Sequence, residues 1–185
     1  MSNSRRHRSS RHHCVYRTPL IIFAVVTAGF AAWAHWPHSP LPDGVVADRV
    51  VVRKAARALD LYDGDEILRT YSVALGAEPT GPKTRKRDGR TPEGRYIIDY
   101  RKEDSAFHRA LHISYPRADQ VAAARLRGEP PGGLIMIHGL PNGRAWIGRL
   151  HRVSDWTTGC IAVTNDEVEE LWRVVPNGTR IEIQP

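Results

Sequence analysis

"DWTTGCIAVTND", residues 155–166, contains Cys160, one of only two cysteines in the chain. It joins a Gly-Cys pair to an apolar run, Ile161 to Val163. Thr164 and Glu167 then stand in the T-x-x-E spacing of a capping box, which opens helices. Val168, Leu171, Trp172 and Val175 recur at helical spacing, so the pattern predicts a helix over 164–175 with one face on a sheet. Pro176-Asn177-Gly178 ends it, and "TRIEI" (179–183) reads as a final strand.

Working outward, the chain is built of short apolar or alternating runs. "RVVV" (49–52), "AARALDLY" (55–62) and "ILRTYSVALG" (67–76) read as strands, with "DGDE" (63–66) as a hairpin turn. "RYIIDYR" (95–101) and "RALHISYP" (109–116) add two more, and "GGLIMIHGLPNG" (132–143) holds an apolar strand ending in His138-Gly139. A second helix is expected over "RADQVAAARLRG" (117–128), between Pro116 and Gly128. Residues 78–94, dense in Gly and Pro, read as loop. The sum is a mainly β domain with two short helices and non-sequential strand pairing.

The formal net charge of +7 is uneven. Arg5, Arg6, Arg8, Arg11 and Arg17 give +5 with no acid in residues 1–18, leaving 22 basic and 20 acidic residues, or +2, elsewhere. That near-balance argues against a nucleic-acid partner. The one remaining basic cluster, "KTRKRDGR" (83–90), reads as a solvated loop whose Asp88-Gly89 pair marks a turn. The N-terminal charge instead precedes an uncharged run, Leu20 to Ala34, and by the positive-inside rule holds that end in the cytoplasm. The expected organisation is a basic region (1–18), a signal anchor or cleaved signal peptide (19–36), a Pro-rich linker (37–47) and an exported catalytic domain (48–185). The membrane would then be a partner through residues 19–36.

Export changes what Cys160 means. Cys14 lies on the other side of the membrane, so the domain carries a lone thiol in an oxidising compartment. It is either buried, paired between molecules or reactive. A nucleophilic Cys needs a base to hold it as thiolate. His138 is that base, with the Gly139 carbonyl placed to orient its ring, and the Gly159-Cys160 peptide supplies N–H groups for an oxyanion. His151, nine residues before Cys160, is the rival base. His108 and His112 are too few for a metal site, and no metal or other cofactor is expected.

These stretches, in this order, resemble the L,D-transpeptidase (YkuD) catalytic domain family over about residues 48–183: "LDLYDGDEILRTYSVALG", "GRTPEGRYII", "IMIHG", "TTGCIAV" and "NDEVEELWRVVPNGTRIEI". The resemblance is to a subgroup with a DWTxGC-type motif. It implies a YkuD-type mixed β-sandwich or barrel. It also implies a Cys160 nucleophile with His138 as base, Gly139 orienting through its backbone carbonyl, Gly159 contributing an oxyanion-hole amide, and peptidoglycan stem peptides as substrate in the cell envelope. Thr158, Trp156 and Asn142 are the expected substrate contacts. Two positions depart from the usual motif: Thr158 stands where a histidine is common and Ala162 where an arginine is. Alternative readings are a hydrolase of the same linkages (carboxypeptidase or amidase-like), a sortase-like enzyme, and an inactive wall-binding module.

Overall fold

The structure, a computed structural model, describes residues 17–35 and 39–185. The basic region up to residue 16, and residues 36–38 where the linker was expected to begin, lie outside the described residues.

Arg17–Ala34 forms helix α1, a compact unit separate from the chain that follows. Its 18 residues rise about 27 Å, short of the ~30 Å hydrocarbon core of a bilayer. Thr27 and Gly29 also dilute its apolar run. Among the described residues no helix is long and apolar enough to cross a membrane, so the expected spanning anchor finds no support in α1. The Pro-rich stretch is not a free spacer either. Leu41 and Ala47 are buried in the core of the following domain, and the Ala47 N–H donates to Val174 O at 2.8 Å.

Eight strands build that domain: β1 Arg49–Arg53, β2 Ala58–Asp63, β3 Glu66–Ser72, β4 Gly94–Ser105, β5 His108–Ile113, β6 Met136–His138, β7 Ile161–Ala162 and β8 Arg180–Gln184. Their order in the sheet is β3-β2-β1-β8-β4-β5-β6-β7. β1–β8 and β6–β7 are parallel and the other pairs antiparallel. β1 and β8 are made of the β-branched residues that suit a pleated, packed surface, and Val50, Val52, Ile181 and Ile183 fill the core. The 12-residue β4 joins the two halves, pairing first with β8 and then with β5, with register shifts after Ile98 and Lys102. Such shifts bend a strand and increase its twist. The far edges then meet: Ala74, just past β3, bridges Ala162 of β7, and Gly76 bridges Thr157. The result is a mainly β mixed sheet that curls back on itself.

Two helices accompany it, α2 Ala118–Leu126 and α3 Asn165–Val174, and α3 packs on the sheet against β5 and β6. The α3 capping box is formed: Thr164 N–H donates to Glu167 Oε2 at 2.9 Å, and Glu167 N–H to Thr164 Oγ1 at 3.4 Å. Val168, Leu171 and Val174 are buried against the sheet. Two elements differ from the sequence reading. Residues 132–135 are not strand, and Leu134 has φ +53°. Residues 145–153 form 3₁₀ turns that meet at Gly148, φ +50°, where no element was expected.

Candidate active site

The site is built on the parallel pair β6–β7. Ile137 pairs with Ile161 and His138 with Ala162, which sets Cys160 beside Met136 at the mouth of β7. Side chains two apart share a sheet face, so Cys160 and His138 project to the same side. Each is fixed by what precedes or follows it.

The residue after His138 has no room for a side chain. A Cβ on Gly139 would lie 2.7 Å from Asn165 Oδ1 and 3.1 Å from Phe107 O. The turn at Gly139 brings its carbonyl back to His138 Nδ1 at 2.7 Å. That bond places the ring proton on Nδ1 and leaves Nε2 as the acceptor. His138 is 3% exposed, and burial holds its pKa below the ordinary histidine value, with the Gly139 carbonyl opposing. Phe107 lies against the ring, centroids 4.4 Å apart, and Trp156 meets it edge-on at 5.8 Å.

The loop before Cys160 is stapled to the strand end at 74–77. Asp155 accepts the Leu75 N–H at 2.8 Å and pairs with Arg57 at 2.9 Å. Thr157 N–H donates to Leu75 O, and Ala77 N–H to Thr157 O. The buried Thr157 hydroxyl donates to Cys160 O at 2.8 Å and accepts the Gly159 N–H at 3.0 Å. Gly159 sits at φ +131°, and a Cβ there would meet Arg90 O at 2.5 Å. Only glycine combines that backbone angle with that approach.

Three sequence expectations change here. The Gly159 amide is engaged by Thr157, so it is not free for an oxyanion. Asn142 is engaged too: Oδ1 accepts the His108 N–H at 2.9 Å and Nδ2 donates to Ser105 O at 3.0 Å, clipping the β4–β5 turn. The surroundings of the thiol disfavour the thiolate. Burial pushes the Cys160 pKa up, outweighing a hydrogen bond from the Met136 N–H and the positive charge of Lys83. Sγ lies 3.6 Å from Leu134 O, its acceptor. With His138 pushed down and Cys160 up, both environments favour the uncharged forms, thiol and imidazole.

Thr158 lines a cavity of about 510 Å³ with Cys160, whereas Trp156 does not line it and packs against His138. Sequence reasoning passed over Thr157, the residue that shapes the loop, because its neighbour Thr158 looks identical in sequence. It also left unread that Lys83, Lys86 and Arg87 line the cavity. His151 is 7% exposed with neither ring nitrogen hydrogen-bonded. It packs edge-on to Trp156 at 6.5 Å. Burial first, then the Arg152 charge, push its pKa down to about 4. His108 and His112 go to different carboxylates, Glu169 and Asp99, each at 2.6 Å. Among the described residues no three His, Cys, Asp or Glu side chains are grouped to hold a metal ion.

Comparison with known proteins agrees with this architecture. Residues 47–183 match the family model described as the YkuD L,D-transpeptidase catalytic domain. "Putative L,D-transpeptidase YqjB" of Bacillus subtilis (strain 168) is 31% identical over 154 residues, 80% of this chain and 77% of that protein. "Putative L,D-transpeptidase YafK" of Escherichia coli (strain K12) is 29% identical over 132 residues, 68% of this chain and 46% of that protein. Among solved structures, the helical cell shape determining protein Pgp2 from Campylobacter jejuni shares the fold with a TM-score of 0.54 at 20% identity. The match covers 84% of this chain and 54% of that one. The chain thus spans about half the length of the E. coli relative and of the Campylobacter structure. By the match of 47–183, the chain belongs to the YkuD L,D-transpeptidase catalytic domain family.

Proposed function

We propose that this protein is a cysteine acyltransferase that acts on peptidoglycan stem peptides in the cell envelope by L,D-transpeptidation. The observation that carries the reading is the His138–Cys160 arrangement. Both project to one side of β6–β7, and the Nδ1 bond to Gly139 leaves His138 Nε2 free to accept a proton.

In the first half-reaction Nε2 takes the thiol proton as Sγ attacks the carbonyl carbon that joins the third stem residue, a diamino acid, to the fourth, D-alanine. The tetrahedral intermediate collapses, the C–N bond breaks, and the imidazolium returns its proton to the departing D-alanine amine. A Cys160 thioester remains. In the second, an acceptor amine attacks the thioester, its proton passes to Nε2, and the thiol re-forms with that proton. The complete cycle starts from the neutral thiol and imidazole and regenerates them, so no resting ion pair is needed. The Cys160 N–H, in the same tight loop, is the amide we assign to the developing oxyanion in place of that of Gly159.

In this reading the N-terminal arginines and the apolar run direct export by residues 19–36, and the domain meets its substrate in the envelope. The test of activity is incubation with disaccharide-tetrapeptide and product mass. A cross-linked dimer or an exchanged terminal D-amino acid supports transpeptidation. Free tripeptide alone makes the enzyme a hydrolase of the same bond, and unchanged substrate refutes both.

A further inference from the structure

The cavity beside Cys160 has a charge asymmetry that the acyl-transfer chemistry alone does not require. One wall is the loop carrying Lys83, Lys86 and Arg87; the other is Pro130 to Ile135; Thr158 and Cys160 close one end. Its volume of about 510 Å³ lies in the range of small-molecule sites, which pair apolar walls with a few fixed polar groups. No acidic residue lines it.

The loop is held in place. Asp88 accepts Lys83 Nζ at 2.6 Å, Thr84 N–H at 2.8 Å and the Arg85 and Arg90 N–H groups at 3.1 Å each. Burial pushes the Asp88 carboxyl pKa up, but Lys83 and these amides outweigh it and hold it below the ordinary range. The Lys86 N–H donates to Pro130 O at 2.8 Å, tying one wall to the other. At Gly132 a Cβ would lie 3.2 Å from both Lys83 Cε and Lys86 Cα. Tyr115 Oη donates to Pro131 O at 2.9 Å.

Within this fixed loop the three cations differ. Lys83 is neutralised by Asp88, and the adjacent Arg85 by Glu129 at 3.4 Å. Among the described residues Lys86 and Arg87 have no ion-pair partner, and both are exposed. Arg87 is held at φ +63°, a conformation uncommon for a non-glycine residue and costing about 1–3 kcal/mol where the surroundings impose it. Two uncompensated charges on a braced rim beside a nucleophile are a different arrangement from a solvated basic loop, which the sequence alone had suggested.

We infer that Lys86 and Arg87 are a carboxylate-recognition site for the acyl donor. A peptide that carries a free carboxylate enters the cavity, the carboxylate is bound by these two cations, and the apolar wall guides the attacked carbonyl to Cys160. This specifies the donor class and rests on the acyl-transfer reading above.

The test separates the site from that reading. In the full-length protein, Cys160 alkylation is measured with anionic iodoacetate and neutral iodoacetamide, resolved by peptide mass so that Cys14 is counted separately. The ratio of the two rates cancels intrinsic thiol reactivity. In the double variant Lys86→Gln/Arg87→Gln the iodoacetate-to-iodoacetamide ratio falls about threefold at low salt, as expected for removing two solvent-screened charges from the cavity that Cys160 lines. An unchanged ratio overturns the site. In turnover, the double variant raises KM for disaccharide-tetrapeptide about tenfold at unchanged kcat, and a donor with amidated carboxylates loses the same factor on wild type but nothing further on the variant. Equal KM values for acid and amidated donors on wild type also overturn it. A lowered alkylation ratio with no turnover of any stem peptide by wild type keeps the anion site and refutes the acyl-transfer reading.

Discussion

His151 makes a sharp prediction about acid stability. The ring is 7% exposed, and neither nitrogen has a hydrogen-bond partner. Burial and Arg152 lower its pKa from the ordinary histidine value of 6.5 to about 4, with Glu167 opposing and His138 adding a further depression. The unfolded chain therefore binds a proton near pH 6.5 that the folded chain resists. The stabilising contribution is present above that value and is lost as pH falls towards the folded pKa. Integrating the linkage between about 6.5 and about 4 gives a loss of about 2 kcal/mol by pH 5 and about 3 kcal/mol by pH 4, relative to pH 7. The perturbation is His151→Phe, which keeps an aromatic ring of similar size against Trp156 and removes the titration. At pH 7 the substitution breaks no hydrogen bond and leaves stability within about 1 kcal/mol. Between pH 7 and pH 4 the variant retains about 3 kcal/mol that wild type loses. Carboxylates with lowered pKa, such as Glu167 and Asp88, destabilise both proteins as pH falls, so the readout is the difference between them. Urea midpoints at four pH values measure it. Parallel pH profiles for the two proteins would refute a buried neutral His151.

Other consequences follow from the same geometry. Cys160→Ala abolishes turnover with an unchanged unfolding midpoint, and Cys160→Ser is nearly as inactive because a hydroxyl beside a neutral imidazole is a poor nucleophile; both are read by product mass and denaturation. His138→Ala slows acylation by about 10²–10⁴, measured by stopped-flow, whereas His151→Phe has the smaller effect; the reverse order would make His151 the base. Because His138 is pushed below and Cys160 above their ordinary values, the neutral pair persists across a wide window. The kcat/KM profile should hold its acid limb below pH 6.5 and its alkaline limb above pH 9; a thiolate optimum that collapses by pH 8 would contradict this. Gly159→Ala, forced to φ +131° with Arg90 O at 2.5 Å, costs about 3 kcal/mol of stability, visible as a lowered thermal midpoint. A phosphatase reporter fused after residue 45 is active only if residues 19–36 direct export, and activity of a cytosolic reporter alone would refute it.

The parts of the fold that were legible in the sequence are those where one local rule dominates. Thr164 and Glu167 announce α3 because a capping box needs no tertiary help. Val50 to Val52 and Ile181/Ile183 declare their strands by β-branching. The His138–Gly139 carbonyl bond was also legible, since the turn requires a glycine and the bond joins neighbouring residues. What stayed hidden depends on distant partners. The 3₁₀ turns over 145–153 have no capping signal and are set by packing beneath the site. "GGLI" looks like strand, yet Leu134 is turned to φ +53° where its carbonyl faces Cys160. The resting charge of the thiol depends on burial that no spacing reveals. "KTRKR" reads as a solvated loop until Pro130–Ile135, some fifty residues later, closes a cavity against it.

The central claim is that Cys160 carries the acyl group. Intact mass of the full-length protein, quenched during turnover of disaccharide-tetrapeptide, tests it directly. The account predicts a covalent adduct equal to the donor less its terminal D-alanine, mapped to Cys160, removed by hydroxylamine and absent from Cys160→Ala. Turnover by Cys160→Ala, or product formed while that adduct fails to appear even in single-turnover quenches, would contradict it.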